Sequence, residues 1–314
     1  MQKDLNIVFM GTPDFALPSL EVLYKKYSVS AVFCQPDKAI GRGNKVKFGP
    51  VKQFAVDHGI PVYQPETFKN NACLEILETH NPDLIVVAAY GKILPKYVLD
   101  YPKYNCVNIH GSLLPKYRGA SPIQSSVLNG DKETGITIMK MSEGLDTGDI
   151  ITQKAISIKE YETAEELFDR MSLLGAECIV EAIDLIISGK ATYTKQDESL
   201  SSHVTMITKE MGKLDFSKDS DSVINLIHGL NSWPSAYVNA SCGAIKIHRA
   251  IKGNETNFDA GTIVSVSKLG IEVACGDGKT VIITELQKPG KKKTDAYAFT
   301  LGFKIEQGTS IYSI

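Results

Sequence analysis

The stretch "PDLIVVAAYG", residues 82–91, decides the fold. Its apolar side chains run unbroken from Leu84 to Ala89, with no polar residue in alternation. A strand of this kind is buried on both faces, as in a parallel sheet covered by helices. Working outward, runs of the same character occur in "LNIVFM" (5–10), "VSAVFC" (29–34), "IPVYQ" (60–64) and "YNCVNIH" (104–110). Between them lie the helix-like segments "DFALPSLEVLYKK" (14–26), "GPVKQFAVDHG" (49–59) and "FKNNACLEILETH" (68–80). Strand–helix alternation at this spacing predicts an α/β fold with a doubly wound, mostly parallel, Rossmann-like sheet. Such sheets hold ligands beyond the carboxyl ends of their strands.

A chain of 314 residues is long for one core, and two domains are expected. A helical pattern over about 163–187 closes the first, giving a catalytic domain of residues 1–187. At "SGKATYTKQDESLSSHVT" (188–205) the apolar pattern stops, and this stretch is the expected linker. Residues 206–314 change character. A helix near 219–230 is followed by short strand-like runs broken by Gly and Asp, the pattern of a small β-barrel. With 43% apolar residues, 22% charged residues and a net charge of -2, the composition is that of an ordinary soluble protein, so any nucleic-acid surface must be local. The apolar run near the N-terminus is too short for a signal peptide or a membrane span, and the six cysteines form no CxxC pair. A cytoplasmic protein without a membrane partner is expected.

"NIHGSLLPKYRGASP" (108–122) is the candidate site. Asn108 and His110 are two apart on a strand, so both project to one face, and Gly111 ends the strand where doubly wound folds keep their chemistry. The amide can donate to a developing oxyanion, and the imidazole can exchange protons near neutral pH. A histidine there could equally cap a turn. The second candidate is "SEGLDTGDI" (142–150), in which Asp146 could orient His110 and balance its charge, or simply belong to a hairpin turn. The "DTG" tripeptide also belongs to aspartic proteases, but those need two facing carboxylates and this chain has one such motif.

Other chemistries lack their residues. No G-x-G-x-x-G follows the first strand, and "GDGKT" (276–280) lacks the upstream glycine of a P-loop. There is no G-x-S-x-G elbow and no paired His motif for a metal, so no metal is expected. An Asn-His-Asp constellation without a nucleophile suits direct acyl transfer. Two basic patches stand apart from it. Residues 38–56 hold Lys38, Arg42, Lys45, Lys47 and Lys52 and no carboxylate, on the rim that would carry the site. "KKK", Lys291, Lys292 and Lys293, lies in the second domain, where 13 Lys/Arg meet 11 Asp/Glu. Such runs are commonly solvated surface, yet a one-signed, Gly-punctuated loop beside a site can grip phosphates.

The whole chain resembles the bacterial methionyl-tRNA formyltransferases. "VNIHGSLLPKYRGASPI" is similar to the signature of folate-dependent formyltransferases and "GLDTGDI" to their second block. The resemblance implies Asn108, His110 and Asp146 as the catalytic trio. It implies Ser112, Leu113, Leu114 and Pro115 as the lining for 10-formyltetrahydrofolate, the formyl co-substrate. Formyltransferases acting on amino sugars or purine precursors share these blocks, so other features choose the acceptor. "QPDKAIGRGNKVKFGPVK" resembles the loop that meets the tRNA acceptor end, implying tRNA contacts at Arg42, Lys45 and Lys47, although Asn44 stands where relatives usually carry a basic residue. "GLNSWPSAYV" (229–238) and the strands after it resemble the OB-like C-terminal domain of the same enzymes. Lys291, Lys292 and Lys293 are the tRNA-contact candidates there. The implied function is formylation of the methionine on initiator tRNA, by a monomer, for translation initiation. Whether His110 or Asp146 takes the amine's proton stays open at this level. A nicotinamide oxidoreductase would need the missing Gly-rich turn, and a non-catalytic RNA-binding module would leave the Asn-His-Asp set unexplained.

Overall fold

A computed structural model of the chain describes all residues except 1–2, 38, 41–44, 47, 242 and 303–304, with residues 3, 39–40 and 45–46 described by backbone alone. Two compact units divide the chain. One comprises residues 1–122, 135–156 and 168–204, the other residues 123–134, 157–167 and 205–314.

The first unit is built on β1 (Lys3–Gly11), β2 (Tyr27–Phe33), β5 (Val62–Tyr63), β6 (Leu84–Ala88), β7 (Cys106–His110), β9 (Glu133–Lys140) and β10 (Ile150–Ser157), while β3 (Ala39–Ile40) and β4 (Lys45–Val46) pair apart, antiparallel. The first helices are α1 (Leu17–Lys26) and α2 (Pro50–Asp57), and α5 (Pro122–Leu128) follows β8 (Arg118–Gly119). The sheet order is β10-β9-β7-β6-β1-β2-β5. Pairs from β5 through β7 are parallel, and β9 joins β7 antiparallel. The chain builds outward from β1 in one direction through β2 and β5, then returns to β6 on the other side. A reversal of this kind is where doubly wound sheets hold ligands, here at the carboxyl ends of β1 and β6, beside the end of β7.

All five residues of β6 are buried, as its unbroken apolar run requires. Val8, Met10, Ala31, Phe33, Ile85, Val87 and Cys106 pack on one face with Leu77 of α3 (Leu74–His80) and Val98 and Leu99 of α4 (Lys96–Leu99). The alternate residues Ile7, Phe9, Val32, Leu84 and Val86 are sealed on the opposite face. There α6 (Ala164–Ile187) comes within touching distance of Ile109 at Gly175, and its Phe168 meets Phe15 at 5.5 Å. Each such fully buried side chain contributes roughly 1.5–3 kcal/mol, which is why continuous apolar strands need both faces covered. Asn108 and His110 share the parity of Cys106 and so belong to the α3/α4 face of β7.

The expected linker is not a free tether up to residue 204, because residues 168–204 group with the first unit. β8 (Arg118–Gly119) pairs in parallel with β11 (His203–Val204). Arg118 N donates to Ser202 O at 2.8 Å, and Tyr117 N donates to Ser202 Oγ at 2.9 Å. Thr194 and Ile150 exchange backbone bonds of 2.8 and 2.9 Å. A polar segment without periodicity cannot bury a face, but its backbone groups still need partners and find them on strands and loops far upstream.

In the second unit β12 (Ala236–Ala240), β13 (Gly243–Glu255), β14 (Ile263–Ser267), β15 (Gly270–Ala274), β16 (Lys279–Gln287) and β17 (Thr294–Asp295) form one antiparallel sheet. Its order is β12-β13-β16-β15-β14, with β17 on β16. Phe216, Val238, Ile247, Val281 and Ile283 share a core with Ile227 of α7 (Ser220–Gly229) and Phe299 of α8 (Ala296–Leu301). Both helices begin on an aspartate cap. Asp219 accepts from Ser222 N at 2.8 Å and Asp295 from Ala298 N at 3.0 Å. Among the described residues, no helix is long and apolar enough to cross a membrane.

Candidate active site

β7 delivers Asn108, opposite Met139 of β9, and His110, opposite Thr137. Asn108 is half-buried, and no described residue takes a hydrogen bond from its amide. His110 is 5% exposed. Its Nε2–H donates to the carbonyl of Tyr117 at 2.9 Å, which fixes a proton on that nitrogen. Nδ1 then faces Asp146 Oδ2 across 3.7 Å, too far for a direct hydrogen bond. The same Oδ2 accepts from Gly119 N at 2.8 Å. The imidazole and the carboxylate thus come together from segments 36 residues apart, both on the first unit.

The turn after β7 closes on itself. Thr137 Oγ1 donates to Ser112 O at 2.6 Å and accepts from Leu114 N at 3.0 Å and Gln153 Nε2 at 2.9 Å; that Gln153 nitrogen also donates to Leu114 O at 2.8 Å. Ser112 Oγ donates to Lys116 O at 2.6 Å. The Leu114–Pro115 bond is cis. Of the four residues expected to line a folate site, Ser112 and Leu114 are buried and committed to the turn, while Leu113 and Pro115 stay partly open. A short turn with this many inward carbonyls and amides must satisfy them locally, and the Ser112 hydroxyl is consumed in doing so.

The second block forms the loop between β9 and β10. Asp146 has a φ of +52°. A Cβ at Gly148 would lie 1.7 Å from the carbonyl oxygen of Lys140, so only glycine lets the chain pass there. Ser142 and Thr147 share a hydroxyl hydrogen bond of 3.0 Å across the loop, and Leu145 is exposed.

Three residues near this loop carried no sequence signal of a role. Arg118, to which the sequence assigns no function, is 1% exposed and makes two bonds to Glu198, at 2.8 and 2.7 Å, and two to Gln196 Oε1, at 3.0 and 2.9 Å. Glu198 and Gln196 lie in the polar stretch that reads as a linker. Only a charge-pairing demand from a buried guanidinium could have pointed to them, and burial of Arg118 is invisible in the sequence.

Of the basic loop, Arg42 and Lys47 lie outside the described residues, and Lys45 is described only as a backbone position in β4. Lys52 is not free for phosphates. It pairs with Asp37, donates to Gln64 Oε1 at 2.7 Å and lies 4.1 Å over the Phe48 ring. Hydrogen bonds from Lys52 first, then Gln64, hold the Asp37 carboxyl below its usual range. Lys291, Lys292 and Lys293 are exposed between β16 and β17, and no carboxylate pairs with them among the described residues. Among those residues, no group of three or more His, Cys, Asp or Glu is gathered as for a metal ion.

A family model described as formyl transferase matches residues 5–183, and one described as formyl transferase, C-terminal domain, matches residues 206–304. The methionyl-tRNA formyltransferase of Clostridium novyi is 43% identical over 304 residues, spanning 96% of this chain and 98% of its own. That of Geotalea daltonii is 44% identical over 308 residues, spanning 98% of each. Among solved structures, the sugar 3N-formyl transferase WlaRD, determined with dTDP and 5-N-formyl-THF, superposes with a TM-score of 0.67 at 23% identity, covering 92% of this chain and 99% of its own. HypX from Aquifex aeolicus in complex with tetrahydrofolic acid gives 0.63 at 16% identity, covering 95% of this chain and 47% of its own. At those identities the likeness is one of fold.

Proposed function

The chain belongs to the methionyl-tRNA formyltransferases, which place a folate-borne formyl group on methionyl-tRNA, and we propose how its own residues carry that reaction. The donor in this proposal is 10-formyltetrahydrofolate, whose formyl carbon is the electrophile. The acceptor is the neutral α-amine of methionine esterified to initiator tRNA. A new C–N bond forms to the methionine nitrogen, the bond from the formyl carbon to the folate nitrogen breaks, and one proton moves from the attacking nitrogen to the leaving one.

Asn108 donates its amide, which no described residue engages, to the formyl oxygen as negative charge develops there. The observation that carries the proposal is the His110–Asp146 pair: Nδ1 and Oδ2 face one gap 3.7 Å wide, with Nε2 already tied to Tyr117. The amine's proton is received at this pair and handed on to the leaving nitrogen. Leu113 and Pro115 border the folate, with Ser112 and Leu114 shaping the turn beneath it. Arg42, Lys45, Lys47 and Lys291 to Lys293 supply phosphate contacts to tRNA. One chain carries all three proposed catalytic groups, so the working form is a monomer, acting in the cytoplasm where initiation occurs.

The test is incubation with charged initiator tRNA and 10-formyltetrahydrofolate, assaying formyl-methionine, beside a parallel reaction offering a nucleotide-linked amino sugar. Formyl-methionine from the first and no product from the second is expected. Formylation of the sugar alone would overturn the acceptor.

A further inference from the structure

The geometry points to Gln196 as a positioning residue for formyl transfer, its side-chain amide holding the 146–148 backbone so that the Asp146 carboxylate faces His110. The inference rests on the role proposed above for Asp146.

Asp146 sits at the end of an exposed stretch of loop. Its φ of +52° is a left-handed conformation that side-chain-bearing residues rarely adopt, and residues 142–145 before it are exposed. Something outside the loop must hold it. Gln196 Nε2 donates to the carbonyl of Asp146 and to that of Gly148, both at 2.8 Å. One NH2 group therefore gathers the two carbonyls flanking Thr147, one N–H for each.

The amide cannot turn over. Its oxygen accepts from Nε and Nη2 of Arg118, at 3.0 and 2.9 Å, so a flipped amide would set NH2 against a cation and oxygen against two carbonyls. Arg118 is in turn held by Glu198 through Nη1 and Nη2. All four polar valences of the Gln196 amide are thus in use, each to a partner of fixed direction.

Residues 117–119 tie both halves of the proposed site together. The Tyr117 carbonyl accepts from His110 Nε2–H, the Arg118 side chain orients Gln196, and Gly119 N–H donates to the Asp146 carboxylate. β11 pairs with residues 118 and 119, so the segment that supplies Gln196 also fixes this tripeptide. A Cβ at Gly119 would lie 2.2 Å from Val204 O, which shows how closely the two are laid together. Loss of the Gln196 amide frees the backbone of Asp146 while leaving its carboxylate bonded to Gly119 N–H.

The experiment is single-turnover formylation of methionyl-tRNA by full-length enzyme carrying Gln196→Met or Gln196→Glu, each with Asp146 and with Asp146→Asn. Gln196→Glu has nearly the same shape and keeps an acceptor for Arg118, but turns an oxygen toward the two carbonyls. Each variant should lower the rate about 10- to 100-fold, the scale of a misplacement near 1 Å, with KM for the formyl donor little changed. In the Asp146→Asn background the same changes should cost less than about twofold, because the group being positioned is gone. Equal losses in both backgrounds, or full rate with only a lower melting temperature, would overturn the positioning role. If Gln196→Met does not fold, Gln196→Glu alone decides. If Asp146→Asn by itself leaves the rate intact, the reading of Asp146 fails; if it is slow while both Gln196 variants are fast, only the role of Gln196 fails.

Discussion

His110 in the first unit and His228 in the second are almost equally sealed, 5% and 3% exposed, yet their surroundings ask opposite things of them. His228 Nε2 accepts from Ala250 N at 3.3 Å, and the ring meets Tyr161 edge-on. Burial, then the nearby Arg249, pushes its pKa down to about 4 against the pull of Glu166. It is neutral at ordinary pH and serves as a packing piece with one acceptor. His110 has one nitrogen occupied by a carbonyl and the other facing a carboxylate across a gap. Burial does not distinguish them; an imidazole nitrogen set 3.7 Å from a carboxylate does.

The contrast breaks first at His110. His110→Ala should lower single-turnover formylation about 100- to 10,000-fold, the usual reach of a general acid–base group, while donor affinity hardly moves. Matching losses in rate and affinity would make His110 a structural residue of the same kind as His228. Asn108→Ala comes next, at about 100- to 1000-fold in the same assay with an unchanged melting temperature. A normal rate would remove its oxyanion role.

His228 should show itself in stability and not in rate. Its folded pKa lies below the unfolded value, so between about pH 6.5 and 4 the unfolded chain binds more protons and stability falls as pH falls. The loss should total on the order of 3 kcal/mol at its largest, and His248, lowered chiefly by burial, adds in the same direction. Urea unfolding at pH 7 and pH 4.5 should show a smaller difference for His228→Leu than for the parent. An unaltered difference would contradict a buried neutral imidazole. The smallest effect belongs to the exposed lysines. Changing Lys291, Lys292 and Lys293 together to Ala should raise KM for tRNA a few-fold and flatten its salt dependence. A salt slope identical to the parent's would place tRNA elsewhere.

Local pattern made much of this molecule legible. The run 82–91 supplied β6, whose five residues Leu84–Ala88 are all buried, "YNCVNIH" supplied β7, and the helical period over 163–187 became α6. Asn108 and His110 could be put on one face of β7 because strand parity is a property of neighbours. Burial on one or both sides of an element is written in its own residues, at a period of 2 or 3.6, so no partner need be known.

Tertiary structure alone decided what residues 188–204 do, why Arg118 is buried and which residue braces Asp146. Gln196 and Glu198 meet Arg118 across 78 and 80 residues. Those contacts are hydrogen bonds between single polar groups, which leave no period behind and depend on where two distant backbones happen to run side by side. A glutamine in a polar stretch looks alike whether it faces water or an active-site turn; only the folded path of the chain separates the two.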